Sequence, residues 1–330
     1  MGAFNVALFR EVIPDGVRYR IRMDCAKPSL TVAICTLDKC ADLEICLESL
    51  RDQVVDGAWD VLVVDNGSTD GTAEYVDGLA AAYPVSLQRV SEPERGLSHA
   101  RNRALAVAEG EVVLFVDDDV RFLPGCLDAH LRGYERQDTV ATGGRITPSL
   151  TAEAPSWVNE KTLSEMSGPL GRCEYGDARL AIGPGEAVRS FYGGNMSMRR
   201  QVALDVGGFR VDLGWGKRRI PGEETELVQR LAGAGRCIWY LPEAALEHRV
   251  DPRRLTPARL RAWNLGSGRA SVMIRPARNP LVWLGKTVEQ LLTLLVRCPA
   301  LLMGEHFIHV RTHRKFYQAA GRLAQLIHLP

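Results

Sequence analysis

The chain has 330 residues, 25% of them charged and 46% apolar, and a formal net charge of +1. This length and balance exclude a disordered chain, a collagen-like chain and a disulfide-stapled mini-protein, and they supply no overall positive field for nucleic acid. The charge is unevenly spread: residues 251–330 hold 13 Lys and Arg against three acids, Asp251, Glu289 and Glu305. An acidic body therefore carries a basic C-terminal segment, either a solvated basic face or a surface that meets something anionic. The eight cysteines include no Cys-x-x-Cys pair and no zinc spacing. The start, MGAFNVALFREVIPDG, lacks the basic and then apolar pattern of a secretory signal. No uninterrupted apolar run approaches the roughly 18 residues of a membrane span. The expectation is a reduced, cytoplasmic protein without a spanning helix.

Residues 1–28 read as a leading segment. Pro14-Asp15-Gly16 is a turn, and the alternating VRYRIRM after it makes a hairpin the expected form. LTVAICT (30–36) is a continuous β-branched run of strand length. ADLEICLESL (41–50) spaces Leu43, Cys46, Leu47 and Leu50 as one helix face. DVLVVD (60–65) is a second buried strand, followed by a helix within 68–82. A third helix covers 98–109 and a third strand lies in EVVLFVDDD (111–119). Apolar strands alternating with helices predict an α/β fold, a mainly parallel sheet covered on both faces, with ligands collecting at the strands' carboxyl ends. The stretch 120–200 is rich in turns, with loops at GPGE (183–186) and GGN (193–195). A second ordered block contains RRQVALDVGGF and the helix TELVQRLAGAG (225–235), and the segment 251–330 is mostly helical by pattern. Its Leu- and Val-rich run 281–303 should kink or end at Pro299.

Four clusters bear chemistry. Asp117-Asp118-Asp119 follows an apolar strand directly, and carboxylates at such an edge are paired or metal-bound. Two hard oxygen ligands one residue apart suit Mg²⁺ or Mn²⁺ carrying a diphosphate; an acidic turn meeting Arg121 is the alternative. Asp65 ends a strand and opens DNGSTDGT, where it is either a turn residue or an acceptor for a base N–H or ribose hydroxyl. ERGLSHARN (94–102) places Arg95, Gly96, Arg101 and Asn102 before the third strand, suited to phosphate or simply a helix start with surface arginines. Glu223 and Glu224 in PGEETEL open a helix, where an acid either answers the dipole or serves as a general base.

Taken in order, TVAICTLDKCADLEICLESL, VLVVDNGSTDGT, ERGLSHARNRALAVAEGEVVLFVDDDV, GGNMSMRRQVALDVGGF, GEETELVQRL and EHRVDPRRLT resemble family 2 glycosyltransferases of the inverting, GT-A type over roughly residues 30–255. The resemblance implies a GT-A catalytic domain at 29–250, with a nucleotide-binding half (29–120) and an acceptor-binding half (121–250), followed by a helical extension at 251–330. It places Thr36 and Asp38 in the first nucleotide loop, Asp65 at the base, and Arg95, Arg101 and Asn102 along the nucleotide and phosphates. Asp117 and Asp119 match the ends of the DxD motif, with Asp118 on the ribose or the loop. Gly193, Gly194 and Asn195 match the loop beside the donor sugar. Glu224 matches the base, Glu223 the acid before it, and His248 a histidine that reaches the metal or diphosphate. The base position is often Asp in this family, so Glu223 and Glu224 both stand as candidates. The implied partners are a UDP-sugar or another nucleotide-diphosphate sugar, Mg²⁺ or Mn²⁺, and a saccharide, lipid-linked or small-molecule acceptor. Peripheral contact with the inner membrane face, or a homodimer through 251–330, is expected of the basic segment. The alternatives are a non-catalytic nucleotide-sugar scaffold, which has no need of intact acids, and a sugar nucleotidyltransferase, whose Gly-rich basic loop CTLDKCADL lacks.

Overall fold

The computed structural model describes residues 5–13, 16–24, 28–150, 154–155, 157–183, 191–216, 219–275, 280–302 and 310–328. The leading segment forms the expected hairpin, β1 (Asn5–Ile13) antiparallel to β2 (Gly16–Asp24). Its turn residues Pro14 and Asp15, most of the GPGE loop, and residues 303–309 lie outside the described residues.

β3 (Leu30–Thr36), β4 (Trp59–Asp65), β5 (Leu87–Ser91) and β6 (Val112–Asp117) pair in parallel in the order β5-β4-β3-β6. Alternation sorts their side chains. Val32, Ile34, Val61, Val63, Leu114 and Val116 pack against α1 (Cys40–Arg51), whose buried residues are the expected Leu43, Cys46, Leu47 and Leu50. Ala33, Leu62, Val113 and Phe115 face the other side. There they meet Ala100, Ala104 and Leu105 of α3 (Leu97–Val107), which follows α2 (Thr72–Ala80). Both faces of β3, β4 and β6 are thus buried, which is why these strands read as unbroken apolar runs, while the edge strand β5 buries only Leu87.

The second half of the sheet is mixed. After β7 (Val120–Phe122) and α4 (Cys126–Gly133), β8 (Thr139–Leu150) runs parallel to β11 (Cys237–Val250). β10 (Asn195–Arg199) inserts antiparallel between β6 and β8. The short α5 (Glu160–Glu165), β9 (Leu180–Ala181), α6 (Arg200–Asp205) and α7 (Glu223–Gly233) complete this half. β11 is 14 residues long and pairs antiparallel with β7, setting His248 opposite Val120. That register carries the chain after β11 back to the acidic cluster.

The basic segment forms a 3-10 turn (Pro252–Leu255) and then α8 (Pro257–Ile274), α9 (Pro280–Leu302) and α10 (Val310–His328). α9 runs three residues beyond Pro299, where a kink or an end is expected, and does so without the backbone hydrogen bond a proline nitrogen cannot donate.

Candidate functional site

The ends of β3, β4 and β6 stand level, with Thr36 beside Asp65 and Cys35 beside Asp117 in register. Opposite them lie the start of α7, the loop before β10 and the segment that follows β11. A cavity of about 490 Å³ opens between these elements. It is lined by Thr36, Lys39, Arg101, Asp117, Asp118, Asp119, Gly193, Gly194, Glu223, Glu224 and His248, among others.

Each acid of the triplet has a different environment. Asp118 Oδ2 accepts from Thr36 Oγ1 at 2.8 Å, which fixes the loop. Burial, followed by the negative charge of Asp119, pushes the Asp118 carboxyl up to about 8. Burial also raises Asp117, against the pull of Arg101, whose Nη2 lies 3.6 Å from Asp117 Oδ1. Asp119 is 1% exposed. Burial alone would raise it, but His248 and Arg254 outweigh burial and hold it below the usual carboxylate range. Arg254 Nη2 donates to Asp119 Oδ2 at 2.6 Å.

His248 Nδ1 donates to the Leu170 carbonyl at 2.6 Å, which leaves Nε2 facing Asp119 Oδ1 at 3.4 Å. Both atoms are buried and neither has a hydrogen-bond partner. An imidazole nitrogen and a carboxylate oxygen orphaned side by side fit a hard divalent cation. Among the described residues no group of three or more His, Cys, Asp and Glu side chains converges on one point. The protein alone does not complete a metal shell, and a cation there would take its remaining ligands from phosphate and water.

The two glutamates at the start of α7 separate in role. Glu223, 2% exposed, accepts from Arg101 Nη1 at 2.6 Å and from the Gly222 N–H at 3.0 Å. Both of its oxygens are engaged. Glu224 lines the cavity 9% exposed, and its carboxyl sits well above the usual value because of burial first and the adjacent Glu223 charge second. Arg101, itself 3% exposed, ties this pair to Asp117 and stacks its guanidinium 5.6 Å from the Phe209 ring centre.

The glycines of GGN are explained by these neighbours. A Cβ on Gly193 would come within 2.1 Å of Arg101 Nη2, and one on Gly194 within 2.7 Å of Asp117 Oδ2. Gly194→Ala collides only with the far end of a movable carboxylate. It should therefore leave the melting temperature nearly unchanged while weakening cation and nucleotide binding about tenfold or more, readable by calorimetric titration.

Five expected contact residues have other occupations. Asn195 is fully buried: its Nδ2 donates to the Arg145 and Ala244 carbonyls at 3.0 and 2.8 Å, and its Oδ1 lies 2.9 Å from His130 Nε2. It binds β10 to β8 and β11 and does not line the cavity. Asn102 bridges the Phe209 backbone, with Nδ2 donating to its carbonyl and Oδ1 accepting from its N–H, both at 2.8 Å. Asp38 accepts from the Thr69 N–H at 2.7 Å and clasps the loops after β3 and β4 together. Asp65 Oδ1 accepts from the Ser68 N–H at 2.8 Å, closing its own turn just outside the cavity, where Asn66 takes the lining position. Arg95 is exposed and donates to the Gly67 carbonyl at 3.1 Å. The first N–H of α3, on Leu97, is taken by the Trp215 carbonyl at 2.9 Å, so it is not free for phosphate.

The cavity also holds residues that the sequence reading missed. Lys39, Tyr192, Trp215, Arg253, Arg254, Arg259 and Trp263 all line it. The one visible signal was the basic excess after residue 250. Part of that excess turns inward and offsets the acidic cluster.

A family model described as glycosyl transferase family 2 matches residues 31–207. The chain is 27% identical over 226 residues to the glucosyl-dolichyl phosphate glucuronosyltransferase of Haloferax volcanii, covering 67% of this chain and 69% of that one. It is 30% identical over 231 residues to the glycosyltransferase AglE of the same organism, covering 70% of each. A solved mannosyltransferase from Pyrobaculum calidifontis, in complex with GDP-Man and Mn²⁺, shares the fold at a TM-score of 0.54 and 19% identity, over 91% of this chain and 73% of that one. The α/β architecture is therefore that of the GT-A glycosyltransferases, and the chain belongs to glycosyl transferase family 2 and is a glycosyltransferase.

Proposed function

We propose that the chain moves a sugar, with inversion, from a nucleotide-diphosphate sugar to an acceptor hydroxyl, with Glu224 as the base. The observation that carries this reading is the division of labour around one cavity. Glu223 is locked by Arg101, while Glu224 stands in the same cavity as Asp117–Asp119 with its proton affinity raised. A UDP-sugar is the donor the family resemblance favours. The glucosyl-dolichyl phosphate of the Haloferax relative's name supports a lipid-linked acceptor.

In this account the nucleotide lies along the ends of β3 and β4, against Thr36, Leu37 and Asn66. Asp119 and His248 are the residues that would hold Mn²⁺ or Mg²⁺, which when bound neutralises diphosphate charge. Glu224 takes the proton of the acceptor hydroxyl. The acceptor oxygen forms its bond to the anomeric carbon on the face opposite the leaving group. The bond from that carbon to the diphosphate oxygen breaks, and its electron pair departs with the nucleoside diphosphate. Lys39, Arg253 and Arg254 line the same end of the cavity and stabilise the charge that develops on the leaving group. Positioning two substrates in one partly enclosed cavity supplies much of the remaining barrier reduction.

The test is calorimetric titration of UDP-, GDP- and dTDP-sugars with Mn²⁺ and with EDTA. One nucleotide class should bind, and chelation should weaken it at least about tenfold. Equal affinity with and without metal would overturn the metal-assisted reading.

A further inference from the structure

Among the described elements, α9 packs chiefly on one neighbouring helix. α10 lies against it, and α10 in turn packs on α8. Near the middle of α9, Gln290 is buried and accepts from Arg322 Nη1 at 3.2 Å. Apolar side chains stand open along its outside: Leu284, Val288, Leu291 and Leu295 are between 45% and 70% exposed, and Leu292 and Val296, 56% and 75% exposed, edge the groove that α9 forms with Arg314, Lys315, Gln318 and Arg322 of α10. At one turn per 3.6 residues these side chains fall within an arc of about 140°, along roughly 18 Å of helix. Lys286, Glu289 and Thr293 stand between the arc and Gln290 on one flank of the helix. A continuous apolar arc of this width on the outside of a water-facing helix marks a surface that is covered in use.

Charge chooses the occupant. No described helix is long and apolar enough to cross a membrane, so lying along an interface is the mode left to α9. A second copy docking through this arc would bring Arg314, Lys315 and Arg322, which line the groove beside Leu292 and Val296 with the single acid Glu289, against their own copies. An anionic lipid surface answers both the apolar arc and the basic excess. We propose that α9 is a membrane-docking helix, lying in the headgroup region of an anionic bilayer with the Leu and Val arc turned into the acyl chains. This rests on the glycosyltransferase reading only for its purpose. The helix α8, which packs on α10, also carries Arg259 and Trp263 into the cavity, so α9 is joined to the cavity wall through α10 and α8.

The test uses the full chain and sedimentation with phosphatidylcholine vesicles, plain or doped with phosphatidylglycerol, at low and high salt. The expected result is binding to the doped vesicles only, weakened by salt. The Leu291→Glu/Leu295→Glu variant should reduce binding about tenfold or more with an unchanged circular dichroism melt. Absence of binding to doped vesicles at low salt overturns the proposal, as does binding that the variant leaves intact. A dimer in sedimentation equilibrium without lipid, dispersed by the same variant, overturns it in favour of a second copy. Nucleotide titration of the same samples separates the two readings. Vesicle failure with nucleotide binding intact sinks only the docking helix, whereas vesicle binding without any nucleotide binding sinks the transferase mechanism.

Discussion

Glu224→Gln is expected to lower turnover about 10²–10⁴-fold with donor affinity retained, and to raise the melting temperature at neutral pH. The amide keeps the shape and burial of the side chain but accepts no proton from an acceptor hydroxyl. The stability effect follows from the direction of the shift. Glu224 has a folded-state proton affinity raised above its unfolded value, so the folded state binds the proton more tightly. Between the ordinary value of 4.5 and the raised value, folding stability falls as pH increases, by about 1.4 kcal/mol for each unit of pH crossed. Glutamine removes this dependence. The two proteins should therefore melt alike below the ordinary glutamate value, with the variant ahead at neutral pH. The acid limb of the wild-type rate profile should likewise lie above the usual carboxylate range. A variant that turns over normally, or that melts below wild type at neutral pH, would contradict the assignment of Glu224 as a strained, buried base.

Arg101→Ala should have the largest effect on the fold. The guanidinium is 3% exposed, bonded to Glu223 at 2.6 Å, close to Asp117 and stacked on Phe209. Truncation leaves Glu223 buried and uncompensated beside Glu224, a loss of about 3–5 kcal/mol. Arg101→Met combined with Glu223→Gln removes both charges, keeps most of the volume and should recover a large part of that loss. Chemical denaturation of the three proteins reads the comparison. If Arg101→Ala unfolds at the wild-type midpoint, the ion pair does not organise the start of α7.

In the first half of the fold β3, β4 and β6 were legible because they are buried on both faces, and α1 because it carries one apolar face; the edge strand β5, with one buried residue, was not read. β3 matches the run 30–36 residue for residue, and α1 buries the four residues its spacing picks out. β8 and β11 were not read as strands. The burial of β8 alternates toward its end only, whereas β11 buries every second residue from Ile238 to Val250 but places Pro242 and His248 among them and breaks the alternation at Leu241, which hides its period in the sequence. Residue type located the acids of the site but could not distinguish a side chain that lines the cavity from one that holds a loop. Asn102, Asn195, Asp38 and Asp65 lie in motifs near the cavity and bond to protein groups at hand. The inward-turned arginines follow the acids by more than 130 positions, and only the pairing of β11 with β7 brings Arg254 to Asp119.

In the proposed mechanism one cavity divides its work, with Asp119 and His248 serving the cation and diphosphate and Glu224 serving the acceptor. Titrating the preferred nucleoside diphosphate with Mn²⁺ into wild type, Asp119→Ala and Glu224→Gln tests it most directly. The account predicts metal-dependent binding to wild type and to Glu224→Gln alike, and at least about a tenfold loss in Asp119→Ala. Equal binding by Asp119→Ala, or loss of binding in Glu224→Gln, would contradict it.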